Sequence, residues 1–252
     1  GHDRTFGTNA KAWDWCSVNN AGFEYYQNAK KDGIGLPPHN PRIWVFRHQS
    51  NASCAPMLRR VWHPIGYSSN SGWSNFFINI TAGRLLTYTN TLLKFALPDI
   101  VIGTGGGYNT YDIYESVNHE LSHASHFNKV GSAFWAKYVN YIITYGKKYD
   151  HPYGDASCNN SGFCGVGEMW GYAMGYIRTY EKYQQKPKNG QSKWFQPNLL
   201  YDLMTEKILT KKQIFDCLSS DVTSHALLKQ KMISRYPSKK DSIIAKFSRY
   251  GF

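Results

Sequence analysis

The sequence predicts an α+β fold, rich in helix, with a small sheet ahead of one central helix and a helical C-terminal part. Three observations carry this. Residues 111–127 place their apolar side chains at helical spacing on one side and their imidazoles on the other. Two short runs ahead of them, 42–47 and 98–103, are rich in β-branched and aromatic residues, the composition of strands. From residue 198 onward, apolar residues recur at helical intervals with cap residues between the segments.

Taken in order, residues 20–31 form a short helix, stopped by Gly33 and the Pro37-Pro38 pair. Residues 42–47 and 73–80 are strands, and residues 50–55 a polar turn. Thr81 caps a helix over 82–95 that turns Leu85, Leu86, Leu92 and Leu93 to the core. The strand at 98–103 leads into Gly105-Gly106-Gly107. No lysine follows at phosphate-loop spacing, so the glycines read as a bend between an edge strand and the central helix. An extended peptide could add to such an edge. After the central helix come a second helix over 130–149 and a loop-rich stretch over 150–167. Helix character resumes near Val166 and continues to about Tyr183. Residues 186–197, polar and containing Pro and Gly, are the candidate linker. Helices follow over 198–208, 211–218, 224–235 and 239–250, with Thr210 and Ser238 as caps.

Composition bounds the function. The 252 residues suffice for one large domain or two small ones, and 42% hydrophobic against 18% charged residues excludes a disordered chain. No apolar run is long enough for an integral membrane segment. The net charge of +12 is spread over isolated pairs such as Lys30-Lys31 and Arg59-Arg60, which is a solvated surface and not a nucleic-acid footprint. Of the five cysteines, Cys158 and Cys164 are close enough to close a short loop but lack zinc-knuckle spacing. The abundance of Tyr, Trp, Asn, Ser and Gly leads to the expectation of a secreted, periplasmic or cell-surface protein.

At the middle of the central helix stands His119-Glu120-Leu121-Ser122-His123, the H-E-x-x-H pattern of a zinc peptidase helix. On a helical wheel His123 falls roughly 40° from His119 and Glu120 roughly 100° from it. Tyr114, Val117, Leu121 and Ala124 make the apolar stripe opposite. The helix is expected to bury that stripe and turn its histidines towards a cleft. His119 and His123, one turn apart, can hold one ion through ring nitrogens at about 2.0–2.1 Å.

A catalytic zinc needs a third protein ligand and an open position for water. His126 shares the histidine face but lies about 4.5 Å further along the axis than His123, so it reads as a residue that lines the cleft or supports the ligands from the outer shell, with ligation the lesser option. The Gly and His that a metzincin helix carries further on are replaced by His126 and Lys129. A carboxylate on another helix remains. Of six glutamates, Glu168 is the one in a nearly uncharged segment, residues 164–176, where burial demands a partner. Gly167, Gly171 and Gly175 would let that segment approach the central helix closely. Glu115, one turn before His119, either orients it from the outer shell or is an exposed helix charge.

His119-Glu120-Leu121-Ser122-His123, with Glu168 on a later helix, resembles the gluzincin, thermolysin-like metallopeptidases over residues 100–176. The chain is expected to form a zincin-like catalytic domain over residues 1–185, with 186–252 as a helical region packed on it. The resemblance implies zinc on His119, His123 and Glu168, Glu120 as general base and acid, and hydrolysis of a peptide or protein substrate by a zinc-activated water. The chain departs from the group in two ways. The spacing from His123 to Glu168 is longer than in thermolysin, and Tyr172 stands where an acidic residue is common. Tyr172, Tyr176, Tyr153, His151 and His126 are the candidates for stabilising the oxyanion. Two other classes fit the same residues: a zinc-containing binding protein without catalysis, and a glycan-associated hydrolase on this scaffold. The intact Glu120 argues against the first, since a structural site has no use for it.

Overall fold

A computed structural model of the chain describes residues 11–47, 53–65, 98–105, 107–146, 153–186 and 193–252. Its elements are α1 (Lys11–Asp32), β1 (Ile43–Phe46), α2 (Leu58–Ile65), β2 (Ile100–Gly103), α3 (Thr110–Gly146), α4 (Ser161–Tyr183), α5 (Asn198–Thr205), α6 (Lys211–Cys217), α7 (His225–Arg235), a 3-10 turn (Pro237–Lys239) and α8 (Lys240–Arg249). The architecture is α+β and helix-rich, with a two-stranded parallel sheet. The strand expected at 73–80, the helix at 82–95, His151 and the first part of the candidate linker lie outside the described residues. None of the described helices is long and apolar enough to cross a membrane.

The two helices expected at 111–127 and 130–149 are the two limbs of α3, broken at Gly131 with φ 82° and ψ 175°. That conformation is open to glycine and strained for a residue with a Cβ. The break lets the second limb return Trp135 and Tyr138 to the histidine face of the first, with ring centroids 5.8 and 5.7 Å from His123. The stripe of Tyr114, Val117, Leu121 and Ala124 is buried as expected. It meets α1, which carries its own stripe of Val18, Ala21, Tyr25 and Ala29. Tyr25 and Ser125 share a hydrogen bond of 2.7 Å across that contact. Helix α1 begins nine residues earlier than its apolar pattern suggested, and its first turn buries Asp14 against Arg47, an ion pair of 3.5 Å.

The sheet approaches α3 through β2. Register runs Ile43↔Ile100 to Phe46↔Gly103, and Cys54 bridges Val101 in antiparallel fashion on the other side. Strand β2 is therefore covered along one edge and partly along the other, which removes it as the free edge for an added peptide strand. Buried Asp99 fixes the entry to β2: it accepts from the Arg42 N–H at 3.0 Å and pairs with Arg59 and Arg60 at 3.0 and 3.2 Å. Helix α2 supplies those arginines and escaped the sequence reading, being a short helix that contains Pro64.

Helix α4 is the main neighbour of α3 and starts at Ser161, ahead of the expected Val166. Its early glycines serve close packing. A Cβ at Gly162 would sit 2.0 Å from the Thr223 carbonyl oxygen, and one at Gly165 2.7 Å from His225 Cε1. The C-terminal helices cover the outer side of α4, where Phe215 lies 5.5 Å from Trp170 and Leu199, Leu203, Ile243 and Phe247 are buried. Thr210 caps α6 through a capping box with Gln213. Ser238 does not cap α8, because the chain enters that helix through the 3-10 turn with Lys239 at the cap position. The described end of the candidate linker is packed, not free: Phe195 is fully buried. All five cysteines are thiols, so Cys158 and Cys164 close no loop.

Candidate metal centre

The first limb of α3 presents His119 and His123 side by side, with their Nε2 atoms 2.8 Å apart. Helix α4 brings Glu168 to both: Oε2 is 3.5 Å from His119 Nε2 and Oε1 is 3.6 Å from His123 Nε2. Glu120 stands beside them, its Oε1 3.9 Å from His119 Nε2. His119, Glu120 and His123 each offer a ligand atom within 4.8 Å of the others, and this group could hold a metal ion. Two donors on bonds of about 2.1 Å to one ion lie at most about 4.2 Å apart. The separations of Glu168 from both histidines satisfy that bound, as does that of Glu120 from His119.

The electrostatics agree with a cation between them. Burial, reinforced by His123, lowers the His119 pKa to about 4, so its ring is neutral with a lone pair to give. Burial and the Glu168 charge push Glu120 well above the usual carboxylate range. Burial alone would raise Glu168 too, but His123 and His119 outweigh it and hold that carboxyl below its ordinary value. Among the described residues, Glu120 Oε2, Glu168 Oε2 and His123 Nδ1 are buried without a hydrogen-bond partner. Orphaned carboxylate oxygens beside two imidazole nitrogens are costly unless something positive is bound there.

Close packing of α4 makes the geometry achievable. A Cβ at Gly171 would fall 2.6 Å from His123 Nε2 and 3.1 Å from His119 Nε2, and one at Gly175 would fall 3.2 Å from the Glu115 carbonyl. Around the donors, the Tyr138 hydroxyl donates a short hydrogen bond to Glu168 Oε1. The Tyr172 ring stands edge-on to His119 at 4.3 Å and its hydroxyl lies 2.7 Å from that of Tyr153. Tyr176 packs its ring 5.8 Å from Tyr172, one layer further out.

One expected role changes. His126 does not line a cleft: it is fully buried, with its ring 5.3 Å from Phe134 and 5.8 Å from Trp135. The second limb of α3 covers it. Glu115 sits beside Tyr111, whose hydroxyl is pushed up to about 12 by burial and by that carboxylate. A Cβ at Gly175 would meet the Glu115 carbonyl oxygen at 3.2 Å and its Cγ at 3.3 Å. Tyr138 and Lys193 were not singled out from the sequence. Nothing in the spacing marks one tyrosine among 19 or one lysine in a polar stretch.

No protein-family model matches the chain, and neither a curated protein sequence nor a solved structure matches it.

Proposed function

We propose that this protein is a zinc-dependent metallopeptidase of gluzincin type on a zincin-like scaffold, with His119, His123 and Glu168 as ligands. The observation that supports this is the convergence of two imidazoles and a carboxylate from two helices, with Glu120 beside them and not among the three closest donors. Two nitrogens and one oxygen are the donor set that suits catalytic zinc. Zinc, when bound, acidifies water and polarises a carbonyl. Glu120 then acts as the base. It takes a proton from the attacking water, holds it, and returns it to the leaving amine. Glu168 stays ionised and is held in place by the Tyr138 hydroxyl. The Tyr172 ring, 4.3 Å from that of His119, and the Tyr153 hydroxyl bonded to it stand beside this centre.

The test is the Glu120→Gln variant of the zinc-loaded protein against a mixture of unstructured peptides. Retention of metal with a loss of hydrolysis on the order of 10²-fold or more is the expected result. Hydrolysis equal to wild type would remove Glu120 from this role.

A further inference from the structure

The stretch between α4 and α5 returns to the metal centre. Trp194 Nε1 donates to the Tyr153 carbonyl at 2.9 Å, and the Phe195 ring lies 5.3 Å from Tyr153 and 5.8 Å from Tyr172. These contacts set Lys193 Nζ 4.7 Å from the Tyr153 ring centroid and 4.5 Å from that of Tyr172. Tyr172 is in turn 4.3 Å from the His119 ring, so Nζ lies within the sum of the two distances, about 8.8 Å, of that imidazole. Lys193, Tyr153 and Tyr172 are half-buried, so none is sealed from a ligand. Among the described residues no carboxylate forms an ion pair with Lys193; the ring faces of Tyr153 and Tyr172, with Phe195 further off at 6.0 Å, hold its ammonium. The Tyr153–Tyr172 hydrogen bond uses one hydroxyl proton and leaves the other for a further acceptor.

These groups together offer one positive charge and one hydroxyl donor, a set that matches a monoanion with two acceptor oxygens. A phosphate dianion would keep a charge uncompensated. One peptide residue spans at most about 3.6 Å; with a polar contact of about 3 Å at either end it bridges up to about 9.6 Å, which covers the distance from the His119 ring to Lys193 Nζ. We propose that Lys193, with Tyr153 and Tyr172, binds the C-terminal carboxylate of a peptide, and that the protein is a carboxypeptidase removing the last residue. This rests on the metallopeptidase reading above. Water is the co-reactant: its oxygen joins the acyl carbon, the C–N bond breaks, and its proton passes to the amine of the released amino acid.

The experiment compares two N-acetylated peptides that differ only in a free-acid or amidated C-terminus, using the zinc-loaded full chain. Wild type should favour the acid at least tenfold in kcat/KM. Lys193→Met, checked by thermal melting to be folded, should collapse that ratio through a higher KM for the acid, and Lys193→Arg should keep most of it. No preference in wild type, or the same ratio in Lys193→Met, would overturn the proposal. Binding of the same two peptides to zinc-loaded Glu120→Gln, followed by isothermal titration calorimetry, separates the two claims. A Lys193-dependent preference for the acid in binding, without hydrolysis by wild type, leaves the carboxylate site standing and sinks the peptidase reading. Hydrolysis without that preference does the reverse.

Discussion

Replacing Gly171 by alanine should cost the metal site far more than it costs the fold. The added Cβ would lie 2.6 Å from His123 Nε2, where ordinary contact begins near 3.4 Å, so the ring edge or α4 must give by about 0.8 Å. Functional side chains need to be held within about 0.5 Å of their working positions. We expect zinc affinity to fall on the order of 100-fold, equivalent to about 2.8 kcal/mol. In a helix with room for it, Gly→Ala instead stabilises by about 0.5–1 kcal/mol. Gly22 in α1 is the control, since a Cβ there meets only Leu121 Cδ1 at 3.9 Å. Gly22→Ala should bind zinc normally and gain that stability. Competition with a chromophoric chelator measures the affinity, and urea melts of the metal-free protein measure the fold. Wild-type zinc affinity in Gly171→Ala would refute the close approach of α4 to the two imidazoles.

Two further outcomes follow from the surroundings of the site. Tyr138→Phe removes the hydroxyl that donates to Glu168, and zinc affinity should drop about tenfold in the same chelator assay; an unchanged affinity would mean that Glu168 needs no such support. His225, stacked on Phe252 at 4.1 Å, has its pKa lowered by burial from 6.5 to about 4. Between those values the unfolded chain binds the extra proton, so stability falls as pH drops through this window, by up to about 3 kcal/mol at about 1.4 kcal/mol per pKa unit. Urea melts from pH 7 to 4 should show a shallower decline for His225→Gln than for wild type, and equal slopes would exclude His225 as a contributor.

The parts of this protein that could be read from its sequence are those whose signal is local. The apolar stripe on the first limb of α3 and the β-branched runs of β1 and β2 announce themselves within a few residues, and so does the Thr210 cap. Glu168 was legible for a different reason: a lone carboxylate in an uncharged helix needs a partner wherever it packs. Signals that depend on distant chain were lost or misread. The glycines at 162 and 165 look like a loop until Thr223 and His225 are seen against them. His126 looks like a cleft residue until the second limb of α3 covers it. Tyr138 and Lys193 reach the centre through tertiary packing alone, the first across 30 residues to Glu168 and the second over the faces of Tyr153 and Tyr172.

The central claim is that α3 and α4 together complete a three-ligand zinc site, and it is tested most directly by zinc titration of wild type beside Glu168→Ala. Wild type should bind one equivalent tightly, and the variant should lose at least on the order of 100-fold in affinity while keeping its helical circular dichroism. A wild-type protein that takes up no zinc, or a Glu168→Ala variant that binds it unchanged, would contradict the account.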